Sequence, residues 1–236
     1  EFVVTMACSG RCKHCSQGDH ISSDHIDGNV AAKAVYDICS HYKIESLMTF
    51  GGEPLLYPET VCKIHSAAKD MGIPKREIIT NGYFSKNKNR INETAHMLKE
   101  SGVTNIMLSA DAFHQETIPL DYVKLFAQAV LKENINIQVH PAWLVCENDN
   151  NPYNQKTKEI LKNFTDIGIE LSSGNVIFPS GNARKYFGAY FKENVKYDNP
   201  YQENPQDMKT VSFSADGGVL GLSLIHISEP TRRSYI

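Results

Sequence analysis

Ala7-Cys8-Ser9-Gly10-Arg11-Cys12-Lys13-His14-Cys15 follows directly on the apolar run Phe2-Val3-Val4-Thr5-Met6. The spacing is C-x3-C-x2-C, which supplies three thiolates where a closed metal site takes four. Iron–sulfur cubanes are normally held by four cysteine sulfurs. Three leave one iron with an open position, and an open metal position is where a reactant binds. Zinc is the nearest competitor, with Cys8, Cys12, Cys15 and one of His14, His20 or His25 as its ligands. No second C-x2-C or H-x3-H pair completes a zinc-finger pattern. Unpaired thiols this dense on a loop would oxidise, which argues against three idle cysteines. Cluster therefore ranks above zinc.

Outward from that loop the chain repeats strand, then helix. A helix is expected from about Val30 to Tyr42, capped by Asn29, with Val30, Ala34, Val35 and Ile38 on one stripe. Further strands are expected at Leu47-Met48-Thr49-Phe50, Glu77-Ile78-Ile79-Thr80, Asn105 to Ser109, Ile135 to Val139 and Asn175-Val176-Ile177-Phe178. Helices are expected between them, over 59–71, 92–100, 120–133 and 154–166, several stopped by a glycine. Six such units imply a parallel sheet with right-handed crossovers, an α/β protein of the (βα)6 partial-barrel kind. Sheets of this kind carry their chemistry at the carboxyl ends of the strands. The unusual residues fall there: the cysteine loop, Gly51-Gly52-Glu53-Pro54, Thr80-Asn81-Gly82, Ser109-Ala110-Asp111, His140-Pro141 and Pro179 to Ala183.

Bulk properties narrow the partners. The 236 residues are 41% hydrophobic and 22% charged, enough for a buried core. A formal net charge of −3 argues against a nucleic-acid partner, which calls for a basic face. No run reaches the ~18 apolar residues of a membrane span, and no signal peptide is visible, so no membrane partner and a cytoplasmic location are expected. Cys39, Cys62 and Cys146 sit singly in apolar patterns and read as small buried hydrophobes.

Two motifs together carry a resemblance. The cysteine loop after the first strand and Gly51-Gly52-Glu53-Pro54 after the second resemble the radical S-adenosylmethionine (SAM) superfamily, whose members carry C-x3-C-x2-C and GGEP at those places. The resemblance covers roughly residues 2–221. It implies a [4Fe–4S] cluster on Cys8, Cys12 and Cys15, with the amine and carboxylate of SAM chelating the open iron. Gly51 and Gly52 let the backbone approach a ligand closely. Glu53 offers a carboxylate to the SAM ammonium. His14, before the third cysteine, stands where the family places an aromatic ring near the adenine. Ser109 and Asp111 are expected to assist at the cofactor, although Asp111 also suits a turn cap. The family's S-x-D is usually followed by glycine and, further on, an arginine; here Ala112 follows and no arginine does, so His114 or Lys124 is the substitute. Thr80-Asn81-Gly82 recurs in the family and is also an ordinary turn. His140 and Trp143 lie near the expected mouth, Trp143 as core. Phe178 to Ala183 is similar to the family's P-x-G-x-A turn.

The implied activity is reductive cleavage of SAM and hydrogen abstraction from a substrate, with an electron donor such as flavodoxin or ferredoxin. The S-x-D and P-x-G-x-A likenesses point to a peptide or protein substrate, as in the SPASM-type branch. The rival from another class is a non-catalytic iron–sulfur or zinc-binding regulator of the same fold. The expected organisation is a core over 1–210, the start of a further extension over 211–221, and a non-native tail over 222–236. The tail resembles a translated sequencing adapter. Val211 to Leu220 reads as the first arm of a hairpin whose second arm should begin at Leu222, so the native protein is expected to continue.

Overall fold

The computed structural model describes residues 1–18, 22–191 and 210–221. Within them, β1 (Phe2–Thr5), β2 (Ser46–Gly51), β3 (Lys75–Thr80), β4 (Asn105–Leu108) and β5 (Asn136–Val139) run parallel in chain order. Helices α1 (Gly28–Cys39), α2 (Pro58–Asp70), α3 (Lys88–Glu100), α4 (Leu120–Lys132) and α5 (Pro152–Thr165) make the crossovers. Each helix buries one stripe against the sheet, such as Val61, Ile64 and Ala68 of α2 and Val123, Phe126 and Val130 of α4. Two helix starts differ from the sequence reading by a few residues. Asp27, not Asn29, caps α1, its carboxylate accepting from the Asn29 and Val30 amides. Asn87 caps α3 in the same way, one turn earlier than the apolar pattern begins.

The sixth strand is a correction. Asn175-Val176 does not join the main sheet. It forms β8 (Asn175–Val176) and pairs with β6 (Ala142–Trp143) in a separate two-stranded ribbon. The sixth barrel position belongs to β7 (Glu170–Leu171), parallel to β5, and α6 (Gly181–Phe187) completes the sixth unit. Both residues of β7 are exposed, so no buried apolar run marks it.

On the other edge, β9 (Val211–Phe213) lies parallel to β1, and Phe213 stacks on Phe2 at 4.7 Å between ring centroids. β10 (Val219–Gly221) returns antiparallel. Among the described residues, the main sheet thus has seven parallel strands and one antiparallel edge strand. The hairpin's second arm begins at Val219, three residues before the place expected for it. The Asp216-Gly217-Gly218 turn is tight, closed by Ser214 N–H to Gly218 O at 2.8 Å, with the Gly218 carbonyl accepting. The expected tail lies outside the described residues. Among those described, no helix is long and apolar enough to cross a membrane.

Candidate functional site

The strand ends converge as a partial barrel requires. A cavity of about 550 Å³ opens there, and Cys8, Cys12 and Cys15 all line it. Gly51, Gly52, Thr80, Asn81, Ser109, His114 and His140 line it too.

The cysteine loop is held from two sides. The end of β2 is zipped onto its start: Gly52 N–H donates to Thr5 O and Glu53 N–H to Ala7 O, each at 2.8 Å. A Cβ on Gly52 would stand 2.0 Å from the Ala7 carbonyl oxygen, so only glycine permits this approach. At its other end, Asn182 N–H donates to Cys15 O at 3.0 Å, and the Ser180 hydroxyl to Ser16 O at 3.2 Å. Gly181, with φ +51°, has the Ser16 oxygen 2.4 Å from where its Cβ would lie. The P-x-G-x-A turn is therefore the clamp on the loop's exit, and its glycine is a packing requirement.

Cys12 is buried, and Cys8 and Cys15 are partly so. Burial raises the Cys8 thiol to about 11, the hydrogen bond from Gly10 notwithstanding. Burial raises Cys12 further. A bound cation is what would hold these sulfurs as thiolates. The donor set fits an iron–sulfur cluster: three cysteines face one cavity, and Cys8 Sγ accepts N–H bonds from Gly10 (3.4 Å) and Asn81 Nδ2 (3.6 Å). The histidines considered for zinc divide. His14 lines the cavity, its ring neutral because burial pushes it down to about 3. His25 instead stacks on Tyr57 at 3.9 Å and is not in the wall. His20 lies outside the described residues.

Two carboxylates nominated by the sequence stand behind the wall. Glu53 is fully buried. Its Oε1 accepts from Leu55 N–H (3.0 Å) and the Thr80 hydroxyl (2.6 Å), and its Oε2 from Asn81 N–H (2.8 Å). It thus braces the 80–81 turn, whose residues do line the cavity. Burial raises its pKa to about 7, against the opposing hydrogen bonds from Thr80, Leu55 and Asn81. Asp111 is equally buried. Its Oδ1 accepts from Phe113 and His114 N–H, both at 2.9 Å, and its Oδ2 from His114 Nδ1 (2.8 Å) and Ala142 N–H (2.9 Å). Burial opposes ionisation, but the His114 charge and hydrogen bonds outweigh it and hold the carboxyl below its ordinary value. This is the turn-cap geometry of its alternative role, extended to tie the β4 turn to β6.

Ser109 lines the cavity. Of the two substitutes for the missing arginine, His114 reaches the wall, while Lys124 bonds Asn163 Oδ1 at 3.4 Å. Trp143 is buried and its Nε1–H donates to Ser173 O, as a core role requires. His140 is in the wall, Nδ1 bonded to the Ser172 hydroxyl at 2.7 Å. The Asn81 side chain is the functional candidate that the sequence hides: T-N-G signals a turn, and nothing in it signals a contact with sulfur.

Comparison with known proteins agrees with this geometry. The model of the radical SAM superfamily matches residues 2–186. The GTP 3',8-cyclase of Vibrio parahaemolyticus serotype O3:K6 (strain RIMD 2210633) is 26% identical over 165 residues, covering 60% of this chain and 48% of that protein. A probable GTP 3',8-cyclase of Saccharolobus islandicus (strain L.S.2.15 / Lassen #1) is 24% identical over 182 residues, covering 74% and 54%. Among solved structures, native anSMEcpe with bound AdoMet superposes with a TM-score of 0.57 at 18% identity, over 87% of this chain and 55% of that one. The same protein with bound AdoMet and Kp18Cys peptide gives 0.56. The chain spans about half the length of these relatives. It belongs to the radical SAM superfamily, whose enzymes use a [4Fe–4S] cluster and SAM.

Proposed function

We propose that this radical SAM protein holds a [4Fe–4S] cluster on Cys8, Cys12 and Cys15 and uses it to cleave SAM reductively and take a hydrogen atom from a peptide or protein. One observation carries the reading: three cysteine side chains, on a loop fixed at both ends, open on one cavity at the carboxyl ends of the strands. Bound there, cluster and SAM supply one-electron cleavage of the sulfonium carbon–sulfur bond and a hydrogen-abstracting radical. The chain's own residues bind and orient. Gly51 and Gly52 present backbone to the cofactor, Ser109 and His114 offer polar atoms from the cavity lining, and His14 offers a flat ring. Glu53 and Asp111 act from behind by fixing those wall residues, as supporting shells do. The electron comes from a donor such as flavodoxin or ferredoxin.

The relatives' names raise a nucleotide substrate as the second reading. Among the described residues that line the cavity there is no lysine or arginine. A triphosphate is normally met by such side chains, so the nucleotide reading needs them from outside these lining residues; the peptide reading rests on the S-x-D and P-x-G-x-A likenesses.

Anaerobic reconstitution tests the proposal. The chain should take up about four irons, and Cys12→Ala should lose most of them. With SAM and dithionite the loaded protein should release 5′-deoxyadenosine. Stoichiometric zinc without a brown chromophore would reject the cluster. Iron without 5′-deoxyadenosine would favour the non-catalytic binder.

A further inference from the structure

Asn81 is nearly buried, 6% exposed, at the turn after β3. Its side-chain amide has one orientation that satisfies its surroundings. Tyr83 N–H donates to Oδ1 at 2.8 Å, and an amide NH₂ facing that donor would set two donors against each other. Nδ2 is therefore turned the other way, where Cys8 Sγ lies at 3.6 Å and Ser9 Oγ at 3.3 Å. The residue cannot swing freely, because its own N–H is held by Glu53 Oε2 at 2.8 Å. Cys8 Sγ also accepts from Gly10 N–H at 3.4 Å. One sulfur thus receives two N–H groups, one from its own loop and one from a residue 73 positions away.

We propose that Asn81, acting through Cys8, sets the reduction potential of the cluster. This rests on the cluster reading above. When the oxidised cluster gains one electron, negative charge on its cysteine sulfurs rises. An N–H donor aimed at a sulfur stabilises that added charge more than the charge before it. Hydrogen bonds to the sulfurs are among the factors that set such potentials. Asn81 is a positioning residue in this scheme. Glu53 and Tyr83 hold the amide in place, so the motif after β2 and the turn after β3 act together on one ligand.

Two variants separate this role from a purely structural one. Asn81→Asp keeps an acceptor for Tyr83 N–H and the side-chain size, but replaces the donor with an anionic oxygen. Asn81→Ala removes the donor and adds no charge. Each is reconstituted anaerobically in the full chain, its iron content measured, and its midpoint taken by titration with dithionite, followed by electron paramagnetic resonance. Asn81→Asp should keep its iron and shift the reduction equilibrium at least tenfold toward the oxidised cluster, a fall of about 59 mV for one electron. Asn81→Ala should move the same way by a smaller factor. Iron-replete variants with the wild-type midpoint would overturn the proposal. So would a shift in Asn81→Asp alone, which would be the effect of added charge, or loss of iron from both variants, which would make Asn81 part of the loop's scaffold. A wild-type chain that takes up no iron would instead sink the function proposed above, and this inference with it.

Discussion

Glu53 and Asp111 are both carboxylates at strand ends, both fully buried, and both wrapped in hydrogen-bond donors, yet their surroundings drive them in opposite directions. Glu53 accepts from three neutral donors, so desolvation dominates and its pKa climbs to about 7. Asp111 has three backbone donors and the His114 ring at 2.8 Å, and that partner overturns the same desolvation. Burial alone therefore does not decide protonation. What decides it is whether a charge partner is close enough to offset the lost water. The first brace holds the turn after β3, the second ties the turn after β4 to β6.

The comparison breaks most visibly at Asp111. Asp111→Ala leaves His114 and three backbone N–H groups without their acceptor. A buried donor left unsatisfied costs about 1–3 kcal/mol, so the urea midpoint should fall sharply at neutral pH. A loss under about 1 kcal/mol, the scale of an exposed ion pair, would show that the pair contributes no more than a surface contact.

The pH dependence of the two should then run in opposite senses. For Glu53 the folded pKa lies above the unfolded one, so its contribution is present below pH 4.5 and is lost as pH rises through about 7. A shift of that size corresponds to at most about 3 kcal/mol. The stability of wild type relative to Glu53→Gln should thus decline between those pH values. Asp111, with a depressed pKa, contributes above its ordinary value of 3.8 and loses that contribution as pH falls. Urea titrations at several pH values read both. A wild-type advantage over Glu53→Gln that grows from pH 4.5 to 7 would mean Glu53 is held ionised.

Smaller effects sharpen the assignment of Glu53 as a brace. Thr80→Val removes the shortest bond to its carboxylate and should cost about 1–3 kcal/mol, the cost of an unsatisfied buried acceptor. Glu53→Gln should cost a similar amount while SAM affinity stays within a few-fold of wild type. A ten- to hundredfold loss of affinity, matching about 1.5–3 kcal/mol for a charge-assisted bond, would instead put the carboxylate on the cofactor's ammonium. Equilibrium dialysis of the iron-loaded variants decides between them.

Most of the fold and about half of the site are legible in the chain's pattern of residues. The alternation of apolar runs with turn residues marks five of the six barrel strands, because a strand buried on both faces must read as a short apolar run. The sixth escapes that pattern because β7 is two exposed residues, whereas Asn175 to Phe178 has the apolar content of a strand and pairs elsewhere. Cys8, Cys12, Cys15, Gly51, Gly52 and Ser109 all reach the cavity wall, and their spacing is enough to nominate them. Glu53 and Asp111, nominated as contacts, stand one layer behind.

By itself the sequence determined the class of fold, the cysteine loop and which turns would meet at one end of the sheet. These depend on period, spacing and local turn chemistry, all of which act over a few residues. Only the tertiary structure decided which way each side chain faces from those turns. Glu53 reaches Thr80 across 27 positions, Asp111 reaches Ala142 across 31 and Asn81 reaches Cys8 across 73. Whether a carboxylate binds a ligand or braces the residue that does depends on these long-range approaches, set by how the strands pack side by side.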